Sequence, residues 1–201
     1  MMMKRRTILK TGLLGFGALL SPALPAVAKA TSLLDPKLLA KAKAALETHS
    51  ASITHKDVIG IADYALHSAK PRFHLVDLIN GHITSLLVAH GKGSDKKHTG
   101  WLQQFSNVPG SEASSGGSYM TAEAYVGKHG RSRRLNGLEP SNDLAYQRAI
   151  VIHGAWYVDE KMVSQHGKLG RSQGCFAFSE TDLNQILERL GAGRLLYADK
   201  G

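Results

Sequence analysis

The chain has 201 residues, 43% of them hydrophobic and 20% charged, a globular mixture that excludes a disordered chain or a coiled coil. Its 21 glycines and 6 prolines follow no triplet period, which excludes a collagen-like structure. The net charge of +9 is uneven: Lys4, Arg5, Arg6, Lys10 and Lys29 stand in the first thirty residues with no acid, leaving +4 on the rest, too little to point to a nucleic-acid partner.

Residues 1–30 read as an export signal. A basic start, Lys4-Arg5-Arg6, is followed by the apolar run from Thr11 to Leu20, and small residues close it as Ala26-Val27-Ala28 or Ala28-Lys29-Ala30. The paired arginines resemble a twin-arginine signal. The alternative is an uncleaved anchor helix, against which the A-x-A end argues. After cleavage no stable membrane span is expected, and the folded part lies outside the cytoplasm.

Residues 31–70 read as a helical N-terminal hairpin. Asp35-Pro36 is an N-cap with proline at the first helical position. Leu38, Leu39, Ala42, Ala45 and Leu46 recur at helical spacing. Thr54 with Asp57 resembles a capping box, and Val58, Ile61, Ala62 and Ala65 would continue one apolar face. Residues 71–201 read as a mainly β domain. Phe73 to Ile79 is β-rich, Asn80-Gly81 signals a hairpin, and Ile83 to Ala89 would be the returning strand. Residues 91–118 read as a long functional loop. Tyr119 to Gly127 and the buried run Arg148 to Ile152 follow as strands. Ser179 with Asp182 opens a last helix through Leu183, Ile186, Leu187 and Leu190, and Arg194 to Ala198 is a final strand.

Cys175 is the sole cysteine of a chain read as exported, so no disulfide framework is available. A buried inert thiol, an intermolecular disulfide and a reactive nucleophile are the three readings. The flanking Gly170-Arg171-Ser172-Gln173-Gly174 favours the nucleophile. Gly174 permits a turn with φ > 0, and N–H groups at Gly174 and Cys175 would converge as an oxyanion hole. Arg171 or a nearby imidazolium would lower the thiol pKa. His153, at the end of a buried strand, is the candidate base, and the pair has the parts of Cys–His catalysis.

His153-Gly154 with Ser172-Gln173-Gly174-Cys175 resembles the signature of the L,D-transpeptidase catalytic domain (YkuD type). The segments Val88-Ala89-His90-Gly91-Lys92-Gly93-Ser94, Phe105-Ser106-Asn107 and Tyr125-Val126-Gly127-Lys128-His129-Gly130 extend the resemblance to its murein branch. The resemblance covers roughly residues 70–198. It implies an antiparallel β sandwich or barrel-like domain with peripheral helices, working in the periplasm of a Gram-negative cell on peptidoglycan stem peptides. A cysteine thiolate there attacks the carbonyl before D-Ala, forms a thioester and passes the acyl group to an amine. Carried over, Cys175 is the nucleophile, His153 the base, the Gly154 carbonyl its orienter, and Gly174 with Cys175 the oxyanion hole. A carbapenem would acylate the same thiol. Arg171, Ser172 and Gln173 would contact substrate. Gln173 and Phe176-Ala177 stand where many members have His and Arg, so hydrolysis by an L,D-carboxypeptidase or endopeptidase is the alternative, and a wall-binding module without turnover is a third reading.

His166, nine residues before Cys175, is a rival base or a substrate contact, or a plain loop histidine. His90, His98 and His129 are candidate metal ligands, but no paired-Cys or H-E-x-x-H spacing is present, so neither metal nor organic cofactor is expected. Arg131-Ser132-Arg133-Arg134 would hold carboxylates or phosphate, or form a solvated turn. Ser114-Ser115-Gly116-Gly117 would be a lid or a plain loop. Trp101, Trp156 and Tyr157 would flank a groove or pack in the core. A monomer is expected.

Overall fold

The computed structural model describes residues 34–200, so the export-signal reading of residues 1–30 lies outside the described residues. Asp35 caps α1 (Pro36–Thr48) by accepting a hydrogen bond from the Lys37 N–H, with proline in the first turn. Leu38, Ala42 and Leu46, four residues apart, bury one stripe of it. The strands are β1 (Val58–Asp63), β2 (Phe73–Asp77), β3 (Ile83–Leu86), β4 (Gly117–Gly127), β5 (Gly130–Gly137), β6 (Val151–Gly154), β7 (Phe176–Phe178) and β8 (Leu195–Asp199). Two more helices, α2 (Glu160–His166) and α3 (Leu183–Arg189), lie between them in sequence.

The strands form one sheet in the order β3-β2-β1-β8-β4-β5-β6-β7. Pairing is antiparallel except for β1 with β8 and β6 with β7. Beyond β3 the chain curls until Ala89 bridges Ala177 in β7, so the two edges of the sheet nearly meet and the sheet becomes barrel-like. The mainly β, barrel-like expectation holds, with the two parallel pairings added to it.

The second helix of the expected N-terminal hairpin does not exist. Val58-Ile59-Gly60-Ile61-Ala62-Asp63 is β1, buried along its whole length. Val58 and Ala62 belong to the main core with Phe73, Leu75 and Leu196. Ile59 and Ile61 face α1 with Leu38, Ala42 and Leu46. A strand covered on both faces has no period-2 alternation, which is why the apolar run also fits a helix. Asp57 does not cap a helix but pairs with Arg194 at 2.8 Å. Residues 34–70 are therefore part of the sheet domain and not a separate helical segment.

Arg131-Ser132-Arg133-Arg134 is not a turn. It lies in β5, which pairs with β4 and β6. Arg133 is buried and donates to the carbonyls of Ala122 and Leu187. Arg134 stacks over Tyr125 and Tyr146. The Asn80-Gly81 turn is present between β2 and β3, with Gly81 at φ 74°. The returning strand is shorter than expected and ends at Leu86. Residues 91–116 hold no strand, as expected, beyond one short 3-10 turn at Lys92–Ser94. The Ser179–Asp182 signal stands: the Asp182 N–H donates to Ser179 Oγ, and the Ser179 hydroxyl donates to the Asp182 carboxylate.

Candidate active site

β6 and β7 run side by side, with Ile152 opposite Phe176 and His153 opposite Ala177. Ile152, Phe176 and Phe178 point into the main core. Alternation then turns Val151 and His153 to the other face, and the same register puts Cys175 beside Val151 on that face. β6 thus carries the imidazole, and the turn residue just before β7 carries the thiol, onto one surface.

The approach to Cys175 is a tight turn. Gly174 has φ 112°, and a Cβ there would sit 2.7 Å from the Ala113 carbonyl oxygen, so a side chain is excluded by both backbone and space. The Ser172 hydroxyl donates to the Cys175 carbonyl at 2.7 Å and accepts the Gly174 N–H at 3.2 Å.

Cys175 and His153 line one pocket of about 490 Å³ together with Tyr125, Lys128, His129, Arg148, Ala149, Val151, Tyr157, Arg171, Ser172 and Gln173. Three cationic side chains, Lys128, Arg148 and Arg171, line it and no carboxylate does. His153 is 2% exposed, and its Nδ1 lies 2.8 Å from the Gly154 carbonyl. A carbonyl only accepts, so Nδ1 carries the proton and Nε2 presents a lone pair. The Cys175 thiol donates to the Ala149 carbonyl at 3.5 Å, and Ala149 itself takes the unusual φ of 54°. The L,D-transpeptidase catalytic domain family matches residues 30–198.

The chain belongs to that family.

Solved structures similar to this L,D-transpeptidase domain include an L,D-transpeptidase from Mycobacterium smegmatis, at 12% identity and TM-score 0.44, covering 71% of this chain and 58% of that one. L,D-transpeptidase 3 from Mycobacterium tuberculosis is similar at 12% identity and TM-score 0.45, over 72% of this chain and 61% of its own. The helical cell shape determining protein Pgp2 from Campylobacter jejuni is similar at 11% identity and TM-score 0.45, over 83% and 57%. The chain therefore spans about three fifths of the length of these structures. A search among curated proteins returns no match.

The electrostatics of this L,D-transpeptidase site differ from the expected depressed thiol pKa. Burial pushes the Cys175 thiol up, and the Val151 backbone contact with the Lys128 and Arg148 charges opposes this only in part. Arg171 is not among the groups that act on it. Burial likewise pushes His153 down, assisted by His129 and Lys128 and opposed by the hydrogen bond to Gly154. Both shifts favour the uncharged forms, thiol and imidazole.

Other expected site residues fall in different places. Arg171 lines the pocket while one guanidinium nitrogen donates to the Asp95 carbonyl. Gln173 lines the pocket and is exposed. Ser172 is buried and committed to the turn, so its hydroxyl serves the loop and not a substrate. The Gly174 N–H, expected in an oxyanion hole, is already taken by that hydroxyl. His166 ends α2, exposed and outside the residues lining the pocket.

Among the described residues no group of three or more His, Cys, Asp or Glu is placed to hold a metal ion. His98 contacts the Leu169 carbonyl, and His90 lies between Arg72 and Asp95. His129 stacks on His153. Ser114 and Ser115 are buried and not a free lid. Trp101 and Trp156 are exposed and not in the core, while Tyr157 forms a pocket wall. Sequence reasoning missed Arg148. It donates to the carbonyls of Ser106 and Ala113 and to the hydroxyls of Ser111 and Ser115, tying the long loop to the pocket. Its only signal was a cation at the foot of a buried apolar run.

Proposed function

We propose that this domain is an exported, cysteine-dependent acyltransferase acting on peptidoglycan stem peptides, an L,D-transpeptidase. The observation that carries the reading is that Cys175, just before β7, and His153, in β6, line one pocket whose walls hold cations and no carboxylate. A peptide rich in free carboxylates complements such a pocket. No helix of the described residues is long and apolar enough to cross a membrane.

In this reading the substrate arrives before the nucleophile is charged. His153 Nε2 takes the thiol proton as Cys175 Sγ attacks the carbonyl preceding D-Ala. The tetrahedral oxyanion draws on the Cys175 N–H and on Tyr157. Burial and the nearby Cys175 push the Tyr157 hydroxyl up to about 12, so it stays a donor. Collapse breaks the C–N bond, the imidazolium returns its proton to the departing D-Ala amine, and a thioester remains on Cys175. The amine of a second stem then attacks the thioester and gives its proton to His153. A new amide forms, and the thiolate recovers the proton. Water in place of the amine gives the trimmed stem, the carboxypeptidase outcome. Arg171 and Lys128 supply counter-charges for stem carboxylates.

The test is incubation of the full chain with tetrapeptide muropeptides, followed by mass spectrometry. Released D-Ala with new cross-links supports transfer, and released D-Ala with trimmed stems alone supports hydrolysis. No D-Ala release, with Cys175 intact and folded protein present, overturns both.

A further inference from the structure

The string His90-Gly91-Lys92 takes no chemical part in this mechanism, yet it grips the nucleophile loop from behind. The Ser172 N–H donates to the His90 carbonyl at 2.9 Å, and the Lys92 N–H donates to the Ser172 carbonyl at 2.8 Å. Gly91 and Ser172 form an isolated parallel bridge. A Cβ on Gly91 would lie 2.8 Å from the Gly174 Cα, so the approach requires glycine.

A buried charge network fixes this segment in turn. Arg72 is fully buried, donates to the carbonyls of Leu66 and Val88, and lies over the Tyr64 ring. Its remaining contact is from Nη2 to His90 Nδ1 at 2.7 Å. A guanidinium only donates, so Nδ1 accepts and the His90 proton sits on Nε2. That nitrogen is 3.4 Å from Asp95 Oδ2, a close polar contact without hydrogen-bond alignment. Asp95, also fully buried, accepts from Thr99 and Gly100, and its backbone carbonyl accepts from Arg171. One neutral imidazole therefore separates a buried cation from a buried anion, while its own backbone holds Ser172. Buried charges are costly to keep, and apolar residues would serve stability alone at least as well.

We propose that His90 is a positioning residue, coupling the Arg72 and Asp95 charges to the 170–175 loop so that Cys175 is held in register with His153. The proposal rests on the reading of Cys175 as the nucleophile. Burial pushes the His90 imidazole down to about 3, helped by the Arg72 cation, so the bridge stays neutral throughout the working range.

The test compares His90→Phe, His90→Asn and Thr99→Val in the full chain. Asparagine offers Arg72 an acceptor near the place of Nδ1, and phenylalanine does not. Thr99 is exposed, so its replacement only slackens Asp95 and should fold. Two quantities are read on folded protein: kcat and KM for D-Ala release, and the pH midpoint of iodoacetamide labelling of Cys175, which needs no substrate. The expected result for His90→Phe is a kcat lower by ~10²-fold with KM unchanged. Its labelling midpoint should fall toward the free-cysteine value of about 8.5 as the loop loosens. His90→Asn should restore most of both, and Thr99→Val should move both slightly in the His90→Phe direction. Wild-type kcat and midpoint in folded His90→Phe overturn the proposal. Should His90→Phe fail to fold, Thr99→Val decides it: a lower kcat with a lower midpoint supports the coupling, and wild-type values of both overturn it. A wild-type enzyme that releases no D-Ala would sink the functional reading, and the labelling midpoints would then decide the positioning role alone.

Discussion

His129 lies face to face on His153, ring centroids 4.3 Å apart and planes within 22°. The stack brings the tip between β4 and β5 onto the candidate base, because Lys128 and His129 are the two residues between those strands that also line the pocket. Both push the His153 pKa down.

That relationship sets a pH prediction. His153 works as a base only when neutral, so activity falls as pH drops through its pKa. Removing a group that lowers this pKa raises it. The acid limb of kcat/KM for His129→Ala should therefore move to higher pH. His129→Phe should show the same shift while keeping a ring on His153. Measured pH–rate profiles check this, and an unmoved acid limb in both variants contradicts it.

The thiol prediction follows from burial. Cys175 in the free protein should react with iodoacetamide slowly at neutral pH. The rate should rise with pH through a midpoint above the free-cysteine value of about 8.5. Cys175→Ala should abolish D-Ala release by about 10⁴-fold or more, and the Cys175→Ala/His153→Ala double variant should be no worse. Intact-mass spectrometry across a pH series, with product assays, measures both.

Cys175, His153 and Gly154 were legible as a candidate site because the H-G and S-x-G-C strings depend on residue type and local spacing, and the structure brings all three to one place. The strands around them were legible wherever one face is wet or a turn intervenes, as at Asn80-Gly81. β1 was not, since α1 and the core cover both of its faces and erase the period. β5 was hidden by its arginines, which find carbonyl and aromatic partners that no local pattern announces. Ser172 and Arg148 read as site chemistry or as nothing, because their roles are hydrogen bonds to distant backbone.

Arg148 gives a local-stability prediction. Its guanidinium satisfies four oxygens of residues 106–115. Arg148→Met should destabilise by roughly 1–3 kcal/mol, since buried acceptors lose their donors. The loss should appear as faster proteolytic cleavage within residues 103–116, with the core protected. Uniform cleavage throughout the chain would argue against the loop-anchor role.

The Asp57–Arg194 pair ties the loop before β1 to the start of β8. Arg194, hydrogen-bonded to it, holds the Asp57 carboxyl below the usual carboxylate range. A lowered folded pKa contributes stability above the unfolded value of about 3.9 and loses it as pH falls through the folded one. Asp57→Asn should thus cost up to about 1 kcal/mol at neutral pH, a small figure because the pair is partly exposed. The difference in Tm between wild type and variant should begin to shrink below about pH 4 and vanish once the pH falls under the folded pKa of Asp57. A difference that persists in acid would assign the loss to something other than charge.

β8, the last strand of the described residues, occupies the middle of the sheet, between β1 and β4. It is the shared neighbour of the first three strands and the following four, and Leu195 and Leu196 fill opposite faces of the seam between them. A chain in which β8 has not docked leaves the facing edges of β1 and β4 unpaired, so two stretches far apart in sequence wait on one five-residue strand.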